Sequence, residues 1–277
     1  MKISIVTPSY NQGIFIERTL QSVAKQRDTL PDSVELEHVV FDGGSNDTTV
    51  EVLKRHGDRI RWVSEKDRGQ TDAVNKGIRA TDGQIIGWLN SDDVYYDGAL
   101  STVLAYFEAH PDVDLVYGMA DHIDQQDQAF EDYPTEPWDF DRLIQTCFIC
   151  QPALFFRRKV FEQYGLLDES LNYCMDYEFW LRLGKAGAKF AYLERKLAGS
   201  RLYADNKTLG ARVKVHAEIN DMFKAKFGQV PKRWIANYAH AVVGNKVVRA
   251  QQPRRFLFLL ALWSNWAAFH WNRRVFW

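Results

Sequence analysis

The sequence predicts an α/β fold, a mostly parallel sheet sandwiched by helices, with a C-terminal helical extension. Three observations carry this prediction. Strand-like and helix-like segments alternate through the first hundred residues, an order that gives parallel strands with helices over both faces. The strand-like segments end in polar clusters, on the side where such sheets bind ligands. From about residue 206 onward the pattern is helical.

Ile3 to Thr7 is a short β-rich run, and Ile16, Leu20 and Val23 then recur at helical spacing. Val34 to Phe41 is a second strand ending in Asp42-Gly43-Gly44-Ser45. Thr48 and Glu51 have the spacing of a capping box at the head of a helix carrying Val50 and Leu53. Ile60 to Ser64 is a third strand. Ala73, Val74, Gly77 and Ile78 suit a helix packed closely on the sheet. Gln84 to Leu89 is a fourth strand, ending at Asn90-Ser91-Asp92-Asp93, and Asp97 is expected to cap the next helix. Beyond residue 112, 115–117, 153–156 and 189–193 read as strands and Asp176 to Lys185 as a helix.

With 277 residues, 46% of them hydrophobic, the chain buries a core of ordinary size. A net charge of −1 supplies no global basic field, so nucleic acid is not an expected partner. The opening apolar run is too short for a signal peptide and stops at Pro8. Three cysteines suit a reducing compartment and a cytoplasmic location. Cys147 and Cys150 have CxxC spacing without a second pair, so free buried cysteines are expected rather than a zinc site.

Asp92 and Asp93 are adjacent carboxylates that repel unless donors or a cation compensate. Magnesium binds through one or two carboxylates plus substrate phosphates, and that suits a diphosphate leaving group. A solvated turn capping the next helix is the plainer reading. Sharing a rim with Asp42 and Asp67 favours metal, Mn²⁺ or Mg²⁺, on Asp92 and Asp93. Asp176 is expected at the start of its helix, where it suits an N-cap, a general base, or both.

Taken together, these motifs resemble glycosyltransferase family 2, of the GT-A fold. Thr7-Pro8-Ser9-Tyr10-Asn11 resembles the family's first nucleotide-binding turn. The segment from Asp42 to Thr49 resembles its second motif, Asn90-Ser91-Asp92-Asp93 its DxD metal motif, and Met175-Asp176 its Glu-Asp pair. Glu65 to Gln70, followed by Ala73, Asn75 and Gly77, resembles the segment before the DxD. The resemblance implies a nucleotide-sugar site of Pro8, Tyr10, Asn11, Asp42, Asp67, Gln70, Asn90, Ser91 and Asp92. It also implies Asp176 as catalytic base and inversion at the anomeric carbon. Its boundaries are 1–205 for the catalytic domain (1–110 the nucleotide-sugar half, 111–205 the acceptor half) and 206–277 for the extension. Asn90 and Met175 depart from the family pattern, and no QxxRW follows Asp176, which implies addition of a single sugar.

The expected reaction is transfer from a nucleoside-diphosphate sugar, UDP in the first instance, to a hydroxyl of a glycan or lipid-linked acceptor in surface polysaccharide biosynthesis. A nucleotide-sugar-binding protein without catalysis is one rival. A nucleotidyltransferase is another, but Ser9-Tyr10-Asn11-Gln12-Gly13 lacks the charge its phosphate loop needs. The run Phe256 to Trp263, followed by Trp266, Phe269 and Trp271 and flanked by Arg254, Arg255, Arg273 and Arg274, suits an interfacial helix on the inner face of a membrane. Packing on the catalytic domain or in a homodimer is the alternative.

Overall fold

The computed structural model describes residues 1–203, 206 and 210–276. In chain order the principal elements are β1 (Lys2–Ser9), α1 (Ile16–Ala24), β2 (Glu35–Asp42), α2 (Thr49–Arg55), β3 (Arg61–Ser64), α3 (Gln70–Arg79), β4 (Ile85–Trp88), β5 (Val94–Tyr95), α4 (Ala99–Ala109), β6 (Leu115–Ile123), β7 (Ala129–Asp132), α5 (Phe140–Gln145), β8 (Leu154–Arg157), α6 (Lys159–Tyr164), α7 (Met175–Lys185), β9 (Phe190–Arg201), α8 (Arg212–Phe227), α9 (Lys232–Gly244) and α10 (Pro253–Asn272). They fall into two compact units. One comprises residues 1–139 and 148–203, the other residues 140–147 and the described residues beyond 203.

The first unit is built on one sheet in the order β3-β2-β1-β4-β8-β6-β9-β5, with β7 paired to β6. Pairings among β1, β2, β3 and β4 are parallel. Beyond β4 the sheet is mixed: β8 runs antiparallel to β4 and β6, while β6 and β9 run parallel. Strands β6 and β9 are longer than the sequence pattern shows, because their far ends carry Asp121, His122, Ser200 and Arg201 instead of an apolar run.

Alternation along the strands assigns the two faces. Ile3, Ile5, Ile85 and Phe155 join Leu100, Val103 and Phe107 of α4 in the larger core. Val40 joins Ile16 and Leu20 of α1 and Val52 and Leu53 of α2. On the other face Val6 meets α3, and Phe156 packs on Phe161 of α6 and Phe179 of α7, with ring centroids 5.0 and 5.8 Å apart. Helices therefore cover both faces.

Three helix starts differ from expectation. Thr48 makes no side-chain cap on α2; Asp47 Oδ1 instead accepts the Thr49 N–H at 2.9 Å. The residue preceding α4 is Gly98, in a left-handed conformation at φ 74°, so Asp97 stands outside the cap position. The cap position of α7 is Cys174, which places Asp176 one residue inside the helix.

The second unit packs α5 and the three C-terminal helices. Trp234 Nε1 of α9 donates to Ile144 O of α5 at 3.0 Å, and Trp271 Nε1 of α10 donates to Asp221 Oδ1 of α8 at 2.8 Å. Val243, Val247 and Phe256 form its small core cluster.

At Gly77 helix α3 lies close against the sheet. A Cβ there would lie 2.1 Å from Cγ1 of Val6, which is fully buried and has nowhere to move. Gly77→Ala would gain about 1 kcal/mol of helix propensity but overpack the contact by about 1–3 kcal/mol. We expect a net loss, seen as a lower denaturant midpoint at unchanged slope. A midpoint at or above the parent's would mean that α3 does not rest on Val6.

Candidate active site

The parallel strands end side by side, and this builds the site. Ser9, Asp42 and Ser64 are in register across β1, β2 and β3, and the ladder from β1 continues to Leu89, whose N–H donates to Val6 O at 3.0 Å. Residues 90–93 follow directly.

Asn90 is the hub of that loop. Its Oδ1 accepts from Gln70 Nε2 at 2.8 Å and Trp88 Nε1 at 2.9 Å. Its Nδ2 donates to Asp93 Oδ2 at 3.1 Å and to Gln151 Oε1 at 2.8 Å. A primary amide has two donor hydrogens and two acceptor lone pairs, so these four bonds use its whole capacity. Asp93 is 4% exposed and also accepts the Arg201 N–H on Oδ1 at 2.8 Å. Burial, and then the charge of Asp92, push its carboxyl up to about 8. Ser91 is buried, and Thr19 Oγ1 donates to Ser91 O and Asp93 O at 3.0 and 2.8 Å.

Asp92 differs from its neighbour. It is half-buried, and among the described residues its side-chain partner is Tyr203, whose hydroxyl donates to Oδ2 at 3.2 Å. Burial pushes this carboxyl up as well, against the Tyr203 hydrogen bond. Gln12 Nε2 donates to the Tyr203 hydroxyl at 3.4 Å, and the Tyr203 ring lies 5.1 Å from that of Phe15. The backbone of the loop is held by Arg201: Nε donates to Asp92 O at 2.7 Å and Nη1 to Asp124 O, while Nη2 pairs with Asp127. The guanidinium has no exposed surface and lies 4.7 Å from the Phe15 ring centroid.

A second cluster joins the ends of β1 and β2. Asp42 is 2% exposed and accepts from Gly44 N at 3.2 Å, Ser45 N at 2.9 Å, Ser64 Oγ at 2.6 Å and Ser45 Oγ. Ser45 Oγ in turn accepts the Asn11 N–H at 2.7 Å, and Asn11 Oδ1 accepts the Asn46 N–H at 3.0 Å. Asn11 has φ 53°, a conformation asparagine tolerates better than most residues. Asp67 is half-buried, accepts the Gly69 N–H at 2.9 Å, and lies so close to Gly43 that a Cβ there would stand 2.8 Å from Asp67 Oδ2. Pro8 is buried, while Tyr10 is 61% exposed.

Asp176 sits half-buried in the first turn of α7, where Oδ1 accepts the Tyr177 N–H at 2.7 Å. The chain entering α7 is tied to α3 by Thr71 Oγ1, which donates to Leu171 O at 3.0 Å, next to the Gln70 that reaches Asn90. Glu178, the other acid of that turn, is 1% exposed and pairs with Arg182 at 3.0 Å.

The structure thus links Gln70, Asn90, Asp92 and Asp93 through one hydrogen-bonded set, and Asn11, Asp42 and Asp67 through the Gly43–Ser45 turn. Sequence reasoning missed Gln12, Gln151, Arg201 and Tyr203. The signal for the last two was an arginine and a tyrosine two and four residues beyond the apolar Leu197-Ala198-Gly199.

Among the described residues, no group of three or more His, Cys, Asp or Glu side chains assembles to hold a metal. The donor set still fits a magnesium-type ion, because one carboxylate plus substrate phosphate oxygens is a sufficient protein share. Asp92 is the carboxylate with capacity to spare, whereas both oxygens of Asp93 are engaged by the protein.

Comparison with known proteins agrees with this geometry. The family model described as Glycosyl transferase family 2 matches residues 4–165, more than half of the chain. A PGL/p-HBAD biosynthesis glycosyltransferase of Mycobacterium bovis is 31% identical over 187 residues, 65% of this chain and 68% of that protein. Chondroitin synthase of Escherichia coli is 25% identical over 88% of this chain but 34% of its own length. An uncharacterized glycosyltransferase of Rickettsia prowazekii is 26% identical over 74% of this chain and 65% of its own. The chain therefore spans from about a third to about two thirds of these relatives' lengths. Among solved structures, S. aureus TarS in complex with UDP-GlcNAc superposes with TM-score 0.66 at 16% identity, over 95% of this chain and 80% of that one. Mannosyltransferase PcManGT from Pyrobaculum calidifontis, in complex with GDP-Man and Mn2+, gives 0.63 at 18% identity, over 96% and 83%. At these identities the likeness establishes the fold, which is GT-A. With the motifs in place on the strand ends and the family model covering residues 4–165, the chain belongs to glycosyl transferase family 2.

Proposed function

We propose that this glycosyltransferase moves one sugar from a UDP-sugar to a hydroxyl of a glycan or lipid-linked glycan, with inversion, in surface polysaccharide biosynthesis at the inner face of a membrane. The observation that carries the reading is the contrast between Asp92 and Asp93. Two adjacent carboxylates sit on one loop, one tied into the protein through both oxygens and the other left with a tyrosine hydroxyl. A turn without a ligand has no need of the second.

In this reading Asp92 is the protein's ligand to Mn²⁺ or Mg²⁺, and Asp93 supports the loop instead of binding the ion. When bound, the ion would neutralise charge developing on the departing diphosphate. Asn11, Asp42, Asp67 and Gln70 belong to the donor pocket with Pro8, Tyr10 and Ser91. Asp42 and Asn90 act there by shaping the Gly43–Ser45 turn and the 90–93 loop, since their side-chain bonds close within the protein. Asp176 takes the proton from the acceptor hydroxyl as its oxygen attacks the anomeric carbon. The new C–O bond forms on the face opposite the breaking bond to phosphate, and the nucleoside diphosphate leaves. One carboxylate suffices for this geometry, in contrast to hydrolases that flank the bond with two.

Titration calorimetry with UDP, GDP and dTDP, each with and without Mn²⁺ or Mg²⁺, tests the reading. We expect metal-dependent binding of UDP; a folded protein that binds none of the three is not a transferase of this kind. Asp92→Asn should weaken metal-dependent UDP binding roughly 10–100-fold, the effect of losing a charged contact, while leaving metal-free binding unchanged. An unaltered metal requirement would move the ligand elsewhere.

Asp176→Asn should lower kcat about 10²–10⁴-fold with UDP affinity preserved. A variant with parental kcat removes Asp176 as the base.

Asn90→Asp should not create a better metal site. It replaces the Nδ2 donor by an anion facing Asp93 Oδ2, which now lies 3.1 Å away. We expect a stability loss of about 2 kcal/mol and no gain in Mn²⁺ affinity. Tighter Mn²⁺ binding would show that residue 90 turns toward the ligand.

A further inference from the structure

Charge is segregated along this chain. All 36 Asp and Glu residues lie within residues 1–221, so the last 56 residues carry ten Lys and Arg and no acid, although the whole chain is at −1. Within that basic segment α10 is two-faced. Phe256, Ser264, Ala267, Ala268 and Trp271 are buried. Phe258, Leu262, Trp266 and Phe269 are 64%, 52%, 49% and 58% exposed. Their spacing of four, four and three residues places them on one stripe of the helix, opposite the buried one. Arg255 and Arg273 extend that stripe at its two ends, and the Arg273 guanidinium lies 5.9 Å from the Phe269 ring centroid. Arg249, Arg254 and Arg274 are exposed close by.

Four large apolar side chains in one exposed row mark an interaction surface. Spanning a bilayer is not its use: among the described residues no helix is long and apolar enough to cross one. An apolar stripe between arginines is the chemistry of a helix lying in the plane of a membrane, its rings at the boundary of headgroups and acyl chains and its cations on lipid phosphates. A second copy is the poorer occupant. Symmetric pairing brings the same patch of both subunits together, which would set the arginines of this stripe, Arg255 and Arg273, against those of the other copy.

We infer that the Phe258–Leu262–Trp266–Phe269 face of α10, with Arg254, Arg255, Arg273 and Arg274, docks on an anionic lipid bilayer. This deepens the membrane-side location in the proposed function and is independent of its catalytic residues. The test is flotation of the full chain, without detergent, with vesicles of phosphatidylcholine alone or containing phosphatidylglycerol. We expect binding to the anionic vesicles, loss on raising salt, and little binding to the neutral ones. Arg254→Gln with Arg255→Gln should lower the partition coefficient roughly tenfold or more, given the usual contribution of each cation near such a surface. Phe258→Ser with Leu262→Ser should do the same at low salt, and both variants should keep UDP affinity. Absence of binding to anionic vesicles, or equal binding by parent and variants, overturns the inference. So does a stable dimer in sedimentation that the Phe258→Ser, Leu262→Ser variant dissolves. Lost flotation with intact UDP binding removes the docking face alone, whereas lost UDP binding with intact flotation removes the transferase reading alone.

Discussion

A guanidinium with no surface in water has to be partnered on every side, and Arg201 shows where this fold concentrates that demand. Its partners come from the 90–93 loop, from the β6–β7 connection at Asp124 and Asp127, and from the Phe15 ring ahead of α1. Its own backbone N–H holds Asp93. Leaving a buried charge without its partners costs about 3–5 kcal/mol, so the loop cannot drift from β9 cheaply. The position of Asp92 follows from this fastening, and so does that of Tyr203, two residues further on.

The same fastening explains how two neighbouring aspartates come to differ. Asp93 points its oxygens at donors supplied by β9 and Asn90; Asp92 gives up its carbonyl to Arg201 and keeps its carboxylate for Tyr203. Burial pushes both carboxyls up, and at Asp93 the charge of Asp92 adds to the effect. A cation on Asp92 would act in the other direction by offering opposite charge at short range. Asn90 fits the scheme as a neutral residue. An acid in its place would add a third carboxylate and remove the Nδ2 donor that Asp93 and Gln151 now share.

Charge is distributed unevenly along the chain. All of the acids lie at or before Asp221 of α8, and most of them belong to the first unit. The basic, aromatic α10 carries the opposite bias with no acid near it in sequence.

Much of this was legible in the sequence. The parallel strands β1 to β4, the helices between them and the polar strand ends are local patterns, and a strand followed by a helix and another strand leaves few topologies. The polar strand ends with Asp42, Asp67, Asp92 and Asp93 stood out because they follow apolar runs, and Asp176 because it opens a helix, whereas Asn11, Gln70 and Asn90 were named through the family resemblance. Their individual tasks could not be read in this way. Whether Asp92 or Asp93 is satisfied by the protein depends on Arg201 and Gln151, which lie 108 and 61 residues from their partners Asp93 and Asn90. The caps failed for a related reason. Thr48 and Asp97 had the right residue type at the right spacing, but Asp47 took over the capping hydrogen bond of α2 and Gly98 the cap position of α4 once the loops closed. Residue type and local periodicity are properties of neighbours in the chain, so the sequence alone determined the fold class and the ring of candidate carboxylates. Which oxygens stay free for a ligand is a property of neighbours in space, and only the tertiary structure decided it.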